Sequence, residues 1–313
     1  MPGARPGMTV RMFVLAHLTD LHIGPLPRPR LRELASKRVV GWLNWRRNRH
    51  RRHRVEILTD LIADLAAQKP DHTAITGDLV NIALPGEFAA TGEWLAAFGQ
   101  PEAVSFIPGN HDAYVRTAMA QWDKHWDAYM RGDREAATES GPRFPYVRRR
   151  DPVALVGLSS AVPTPAFLAT GLLGQDQLGR LEKRLTQLGE EGLFRVVLLH
   201  HPPHKTPASR HKRLVDADAF RAVLARTGAE LVLHGHDHVH ALMWMDGPAG
   251  PIPAVGLPSA SASPDGHHEP AAYNLYRIDG PPGAFTCEAV SRGFAPGATA
   301  ITELARRSLL PPG

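Results

Sequence analysis

The chain has 313 residues, 43% apolar and 21% charged, with a formal net charge of +5. This composition excludes a disordered or fibrous chain and provides for a sizeable core. The one cysteine, Cys287, excludes an intrachain disulfide, and no apolar run is long enough for a signal-peptide core or a membrane span, so a cytoplasmic protein is expected.

Residues 1–9 are expected to be disordered. Short apolar runs then end, one after another, in polar clusters. The run 12–18 leads into Asp20 and His22, 72–76 into Gly77 and Asp78, and 103–107 into Gly109, Asn110, His111 and Asp112. The run 195–199 leads into His200 and His201, and 230–233 into His234, Gly235, His236, Asp237 and His238. Such runs read as strands covered on both faces. Between them, Val55, Leu58, Leu61, Ile62 and Leu65 recur at helical period, as do Leu178, Leu181, Leu185 and Leu188, while Phe220, Val223 and Leu224 suggest a third helix. Alternation of this kind implies an α/β protein with a largely parallel sheet, whose site forms beyond the carboxyl ends of the strands. Beyond residue 250, the runs 255–257, 272–278 and 285–290 have no helix between them, which suits a second, more antiparallel sheet packed on the first. A single domain over 10–300 is expected, with an insertion at 26–54 and a tail at 301–313.

The clusters supply Asp20, His22, Asp78, Asn110, His200, His236 and His238, the oxygen and imidazole donors that hold zinc, manganese or iron. In His236-x-His238 and Asp20-x-His22 the period of a strand sends both side chains from one face, so each pair can address two adjacent ions. Gly77, Gly109 and Gly235 precede ligands where the backbone must turn sharply or approach an ion closely. Any one of these motifs is unremarkable alone. Five in order, each at a strand end, indicate one shared metal site.

The series DLH, GDLV, GNHD, HHPP and GHDH resembles the calcineurin-like metallophosphoesterase superfamily over roughly residues 14–238. The resemblance implies a four-layer αββα sandwich and two divalent metal ions (Mn, Fe or Zn). It places Asp20, His22 and His238 on one ion and Asn110, His200 and His236 on the other, with Asp78 bridging. It makes His111 the histidine that contacts the phosphoryl group or protonates the leaving oxygen, oriented by Asp112. The implied reaction is hydrolysis of a phosphodiester or diphosphate bond by metal-activated hydroxide. His201 and His204 are candidate substrate contacts. His17 and His234 are expected in the core or behind the ligands, and His267 and His268 in solvent.

Between Arg28 and Arg54 there are eleven Lys or Arg and one acid, Glu33. A helix from Leu31 would align Leu31, Leu34, Ala35, Val39 and Trp42, with Trp45 at its edge, and Gly41 is a candidate break. A basic amphipathic helix with Trp on its apolar side suits an anionic membrane surface; Leu31, Leu34, Val39, Trp42 and Trp45 are the candidate contacts. The pattern also suits a cap that packs this face on the domain. Nucleic-acid binding ranks third, because backbone tracking does not require an apolar face. The stretch SKRVVGWLNW, with TGDLVNIALPGEF downstream, resembles the UDP-2,3-diacylglucosamine pyrophosphatases of lipid A synthesis. That resemblance implies a nucleotide-lipid substrate and a peripheral position on the inner face of the cytoplasmic membrane. The alternative is a soluble class III cyclic-nucleotide or glycerophosphodiester phosphodiesterase, although Gly157-Leu158-Ser159-Ser160 departs from the Leu-Asp-Thr-like sequence common in the superfamily.

Overall fold

A computed structural model describes residues 12–133, 143–204 and 210–310; the disorder expected at 1–9 lies outside the described residues. The strands in chain order are β1 (Phe13–Leu18), β2 (His72–Ile75), β3 (Val104–Phe106), β4 (Tyr146–Arg150), β5 (Val153–Gly157), β6 (Phe194–Leu198), β7 (Leu231–His234), β8 (Ala241–Met245), β9 (Ile252–Gly256), β10 (Ala272–Asp279), β11 (Thr286–Phe294) and β12 (Ile301–Leu310). They form two six-stranded sheets, ordered β12-β11-β10-β1-β2-β3 and β4-β5-β6-β7-β9-β8. The strands that end in polar clusters are therefore divided. β1, β2 and β3 run parallel in the first sheet, and β6 and β7 run parallel in the second.

The apolar runs are explained by burial on two sides. In β6, Phe194, Val196 and Leu198 enter the core shared by the two sheets, while Val197 packs in a second core beneath helices. Val153 and Leu155 of β5, and Leu231 and Leu233 of β7, likewise alternate with Ala154, Val156 and Val232. The segment after β1 contains α1 (Leu31–Leu34), α2 (Arg38–Asn44), a π-helical turn (Trp45–Arg49) and α3 (His50–Arg52). There follow α4 (Val55–Ala67), α5 (Pro85–Phe98), α6 (Met119–His125), α7 (Gln175–Glu190) and α8 (Ala217–Thr227). Leu58, Leu61 and Leu65 of α4 cover the first sheet; Leu178, Leu181 and Leu185 of α7, with Phe220 and Leu224 of α8, cover the second. The result is the layered α/β sandwich. No helix among the described residues is long and apolar enough to cross a membrane.

Three expectations are corrected. The C-terminal strands form no sheet of their own. β10, β11 and β12 extend the first sheet antiparallel beyond β1, and the run at 255–257 falls largely in β9, parallel to β7. Residues 301–310 are not a tail but β12, an edge strand whose mostly exposed Glu303, Arg306 and Arg307 mask the strand pattern. The helix expected from Leu31 is broken at Ala35–Lys37 rather than at Gly41, so Leu31 and Leu34 do not share one continuous stripe with Val39 and Trp42.

Candidate metal centre

The loops after β1, β2, β3, β6 and β7 meet at one edge of the sandwich. Pairing continues past the strands: Asp20 N donates to Gly77 O (3.0 Å), His22 N to Asp78 O (2.9 Å) and Gly235 N to His200 O (3.0 Å). Asp112 ties the first-sheet loops together, its carboxylate accepting from the backbone N–H groups of Asp78, Leu79, Val80 and Gly109 at 2.8–3.2 Å. A Cβ at Gly77 would lie 2.5 Å from His200 Nδ1, and one at Gly109 would collide with Asp78 Oδ1, so the close approach expected at these glycines is real. Asp20, His22, Asp78, His236 and His238 all have positive φ, between 43° and 76°. Left-handed backbone at non-glycine residues costs about 1–3 kcal/mol each and persists where the surroundings enforce it. His236 and His238 thus do not share a strand face, since β7 ends at His234; it is the turn that aims them.

The seven expected ligands converge in two groups. Asn110 Oδ1 faces His236 Nδ1 at 2.8 Å and His200 Nε2 at 3.2 Å. Asp20 Oδ1 faces His238 Nε2 at 3.0 Å, and His22 Nε2 lies 3.4 Å from that same nitrogen. Asp78 Oδ2 stands between the groups, 3.5 Å from His200 Nε2 and 3.9 Å from His22 Nε2.

Tautomers decide what this arrangement can hold. Nδ1 of His200 lies 2.7 Å from Thr76 O and Nδ1 of His22 lies 3.2 Å from Val80 O. A carbonyl can only accept, so both Nδ1 atoms carry the proton and both Nε2 lone pairs are left beside acceptor oxygens, that of His200 near Asn110 and Asp78 and that of His22 near Asp78, where Arg49 Nη2 meets it at 3.0 Å. Acceptor facing acceptor in a buried site calls for cations. The carboxylates say the same. Burial and the charge of Asp20 push Asp78 well above the usual carboxylate range, whereas at Asp20 the opposing effect of burial is overcome by His238, which holds it low. The donor set therefore fits a pair of divalent ions, with Asp78 between the two groups of donors.

His111 is at the centre, but Asp112 does not orient it. Its Nδ1 lies 2.5 Å from Asn81 O, while both Asp112 oxygens are occupied by backbone N–H groups. Sequence gave no signal for Asn81. His201 is fully buried behind His236, accepting from Ser160 Oγ (2.7 Å) and donating to Ala169 O (3.1 Å), which leaves no nitrogen for substrate. His204 lines a different cavity of about 430 Å³, beside Arg221 and Trp244. His17 and His234 are buried as expected, with burial lowering each imidazole to about 3.

The basic insertion turns part of its charge inward. Nη1 and Nη2 of Arg49 reach Nε2 of His111 (2.9 Å) and of His22 (3.0 Å). Nη2 of Arg52 reaches Nδ1 of His238 (3.1 Å), and His53 packs edge-on to His22, ring centroids 4.5 Å apart. None of these three was singled out from sequence; the available signal was that the insertion directly follows the first ligand pair. Its anchors are Arg38, which donates to Ile82 O (3.1 Å), Lys37, which donates to Thr164 O (2.6 Å), and the contact of α2 with Ile82 and Tyr114 at Gly41. Trp42 and Trp45 are partly buried, whereas Leu31, Val39, Val40 and Leu43 are exposed. Beside the centre opens a cavity of about 1020 Å³, lined by His22, Trp45, Arg51, Arg52, His53 and His268 among others.

The calcineurin-like phosphoesterase family profile matches residues 13–240, well over half of the chain. Among solved structures, a dimetal phosphatase from Danio rerio is similar at a TM-score of 0.62 and 12% identity, over 95% of this chain and 98% of that one. A purple acid phosphatase from seeds of yellow lupin (Lupinus luteus) is similar at a TM-score of 0.52 and 12% identity, over 94% of this chain and 53% of its own. At such identities these likenesses speak for the fold. No curated protein sequence matches this one.

Proposed function

We propose, for a chain that belongs to the calcineurin-like phosphoesterase family, that the bond it hydrolyses is a phosphodiester or diphosphate gripped between the metal centre and the basic insertion. The enzyme is a metal-dependent phosphoester hydrolase with a dinuclear centre. The observation that carries the reading is the gathering of the His22 and His200 imidazole nitrogens within 3.9 Å of one buried Asp78 carboxylate, with the Arg49 guanidinium against the same His22 nitrogen.

Asp20, His22 and His238 would hold one ion, Asn110, His200 and His236 the other, with Asp78 shared. When bound, two such ions offset phosphoryl charge and lower the pKa of water to about 7 at favourable sites. The chain's own residues do the rest. Asp112 and the glycines fix the loops so that the donors need no rearrangement. Asn81 holds the Nδ1 proton of His111, so Nε2 faces the centre, placed to contact the phosphoryl group or the leaving oxygen. Arg49 brings a guanidinium fork beside His111, suited to a phosphoryl oxygen.

The substrate proposed is a lipid-linked nucleotide sugar such as UDP-2,3-diacylglucosamine, taken from the inner face of the cytoplasmic membrane. The cavity of about 1020 Å³ with Arg51 and Arg52 in its wall suits a nucleoside diphosphate. Exposed Leu31, Val39, Val40 and Leu43 suit acyl chains or a membrane surface.

The test is hydrolysis by manganese-loaded protein of UDP-2,3-diacylglucosamine, cyclic AMP and bis-p-nitrophenyl phosphate side by side, with Asp78→Ala and Asn110→Ala as controls. UMP release far faster than turnover of the others supports the lipid substrate. Turnover of the two generic diesters alone overturns it and moves the enzyme to the phosphodiesterases.

A further inference from the structure

We infer that His53, carried by the basic insertion, is an additional ligand to the ion on the Asp20, His22 and His238 side of the centre. The inference rests on the dinuclear reading and extends it to a residue outside the seven-ligand set.

His53 is 7% exposed and follows α3 directly. Its backbone is tied down: His53 forms an isolated bridge with Ala262, and Arg54 N donates to Ser261 O at 2.9 Å. Its Nδ1 lies 3.2 Å from Ser259 Oγ and 3.0 Å from Ser261 Oγ. Ser259 spends its own hydroxyl proton on the carbonyl of Asp20, at 2.6 Å. Ser261 Oγ lies 3.2 Å from Ser259 Oγ, which has no proton left to give it and accepts from it. The relay runs from His53 Nδ1 to Ser261, from Ser261 to Ser259 and from Ser259 to Asp20 O, with the imidazole proton on Nδ1 and the lone pair on Nε2. Nε2 is buried and has no hydrogen-bond partner. A buried acceptor without a partner is costly unless something outside the protein fills the position.

The direction of the ring supplies that something. Ring nitrogens of His22, His53 and His238 lie within 4.8 Å of one another, close enough to share one ion. The ring of His53 is 4.5 Å from that of His22 and 5.6 Å from that of His238, centroid to centroid, edge-on to both. Serine hydroxyls on Nδ1, a free Nε2 and a ring packed edge-on against two other donors form the arrangement that orients an imidazole for a metal. It also couples the parts of the site: Ser259 touches both the backbone of the ligand Asp20 and the ring of His53. The ion on this side would have four side-chain donors plus the bridging Asp78, against three plus Asp78 on the Asn110 side. The two sites are therefore unequal, and the one completed by the insertion is the tighter.

The experiment is equilibrium dialysis of the metal-free full-length protein against cobalt(II), with the visible absorption of the bound ion recorded alongside. Wild type binds two ions, the first more tightly. In His53→Gln and His53→Ala the first affinity falls about 10- to 100-fold, the absorption bands shift and intensify as the coordination number drops, and the second affinity holds. Thermal unfolding in EDTA checks that the variants still fold: their melting temperature matches wild type without metal and rises less with it. Two ions bound with unchanged affinities and spectrum in both variants would overturn the role of His53 and leave the dinuclear centre standing. Failure of the wild type itself to bind two ions would overturn the centre.

Discussion

Nη2 of Arg49 lies 3.0 Å from Nε2 of His22, so a guanidinium from the insertion donates into the lone pair that a metal ion would take. Val80 O fixes the His22 proton on the other nitrogen, which makes arginine and ion competitors for one imidazole. Arg49→Gln removes the competitor. Metal affinity is expected to rise a few-fold while kcat/KM falls about 10- to 100-fold, the loss of one charge-assisted contact to the phosphoryl group. Calorimetric metal titration and steady-state kinetics on the same preparation check both directions. A fall in metal affinity would make Arg49 a structural support instead.

Asp112 supports the loops and does not orient the imidazole, so its replacement should act first on stability. Asp112→Asn turns an amide N–H₂ toward backbone N–H groups that the carboxylate now accepts. Metal-free protein is expected to lose on the order of 3 kcal/mol in urea unfolding. Unchanged stability with the pH profile of catalysis displaced would restore Asp112 as the partner of His111.

Gly41 lets α2 lie on the domain: a Cβ there would sit 2.6 Å from Ile82 and 2.7 Å from the Tyr114 hydroxyl. Gly41→Val should cost about 1–3 kcal/mol locally and lift the insertion away. Limited proteolysis at the arginines of residues 46–54 should accelerate, and activity fall, while the melting temperature of the rest changes little.

Acid sensitivity has an identifiable source away from the metals. His72 is buried in β2, hydrogen-bonded to Ser105, and burial followed by the charges of Arg148 and Arg150 lowers it to about 3. The unfolded chain binds its proton near pH 6.5 and the folded chain does not until about 3. The stability it contributes is thus full above pH 6.5 and falls by about 1.4 kcal/mol per pH unit below it. His72→Thr should flatten that part of the pH–stability curve by one proton, measured by urea unfolding between pH 4 and 7.

The exposed apolar residues of the insertion give the membrane proposal its own test. Flotation with anionic vesicles at low salt should carry wild-type protein upward, and Leu31→Ser combined with Leu43→Ser should reduce the floated fraction several-fold. Equal flotation of both proteins would remove the apolar side from the argument.

The chemistry of the centre could be read from sequence because it is local. Each ligand follows a run of apolar residues that suits a strand buried on both faces, and although an Asp, Asn or His at one such end is ordinary turn chemistry, five such ends in order point to one metal site. Strand period explained less than expected, since His236 and His238 lie beyond β7 in left-handed turns. β12 escaped notice for the opposite reason: an edge strand facing solvent has no need of an apolar pattern.

Tertiary structure alone decided which strands share a sheet, because β1 to β3 and β6 to β7 carry the same kind of apolar run and differ only in their neighbours. It also decided what the insertion does. In the sequence, eleven basic residues are equivalent charges. In the fold, Gly41 lets α2 settle on Ile82 and Tyr114, and the π-helical turn that follows sends Arg49, Arg52 and His53 inward while Arg46 and Arg47 stay in solvent. Direction of that kind depends on contacts between residues dozens of positions apart. Composition and period carry no record of it.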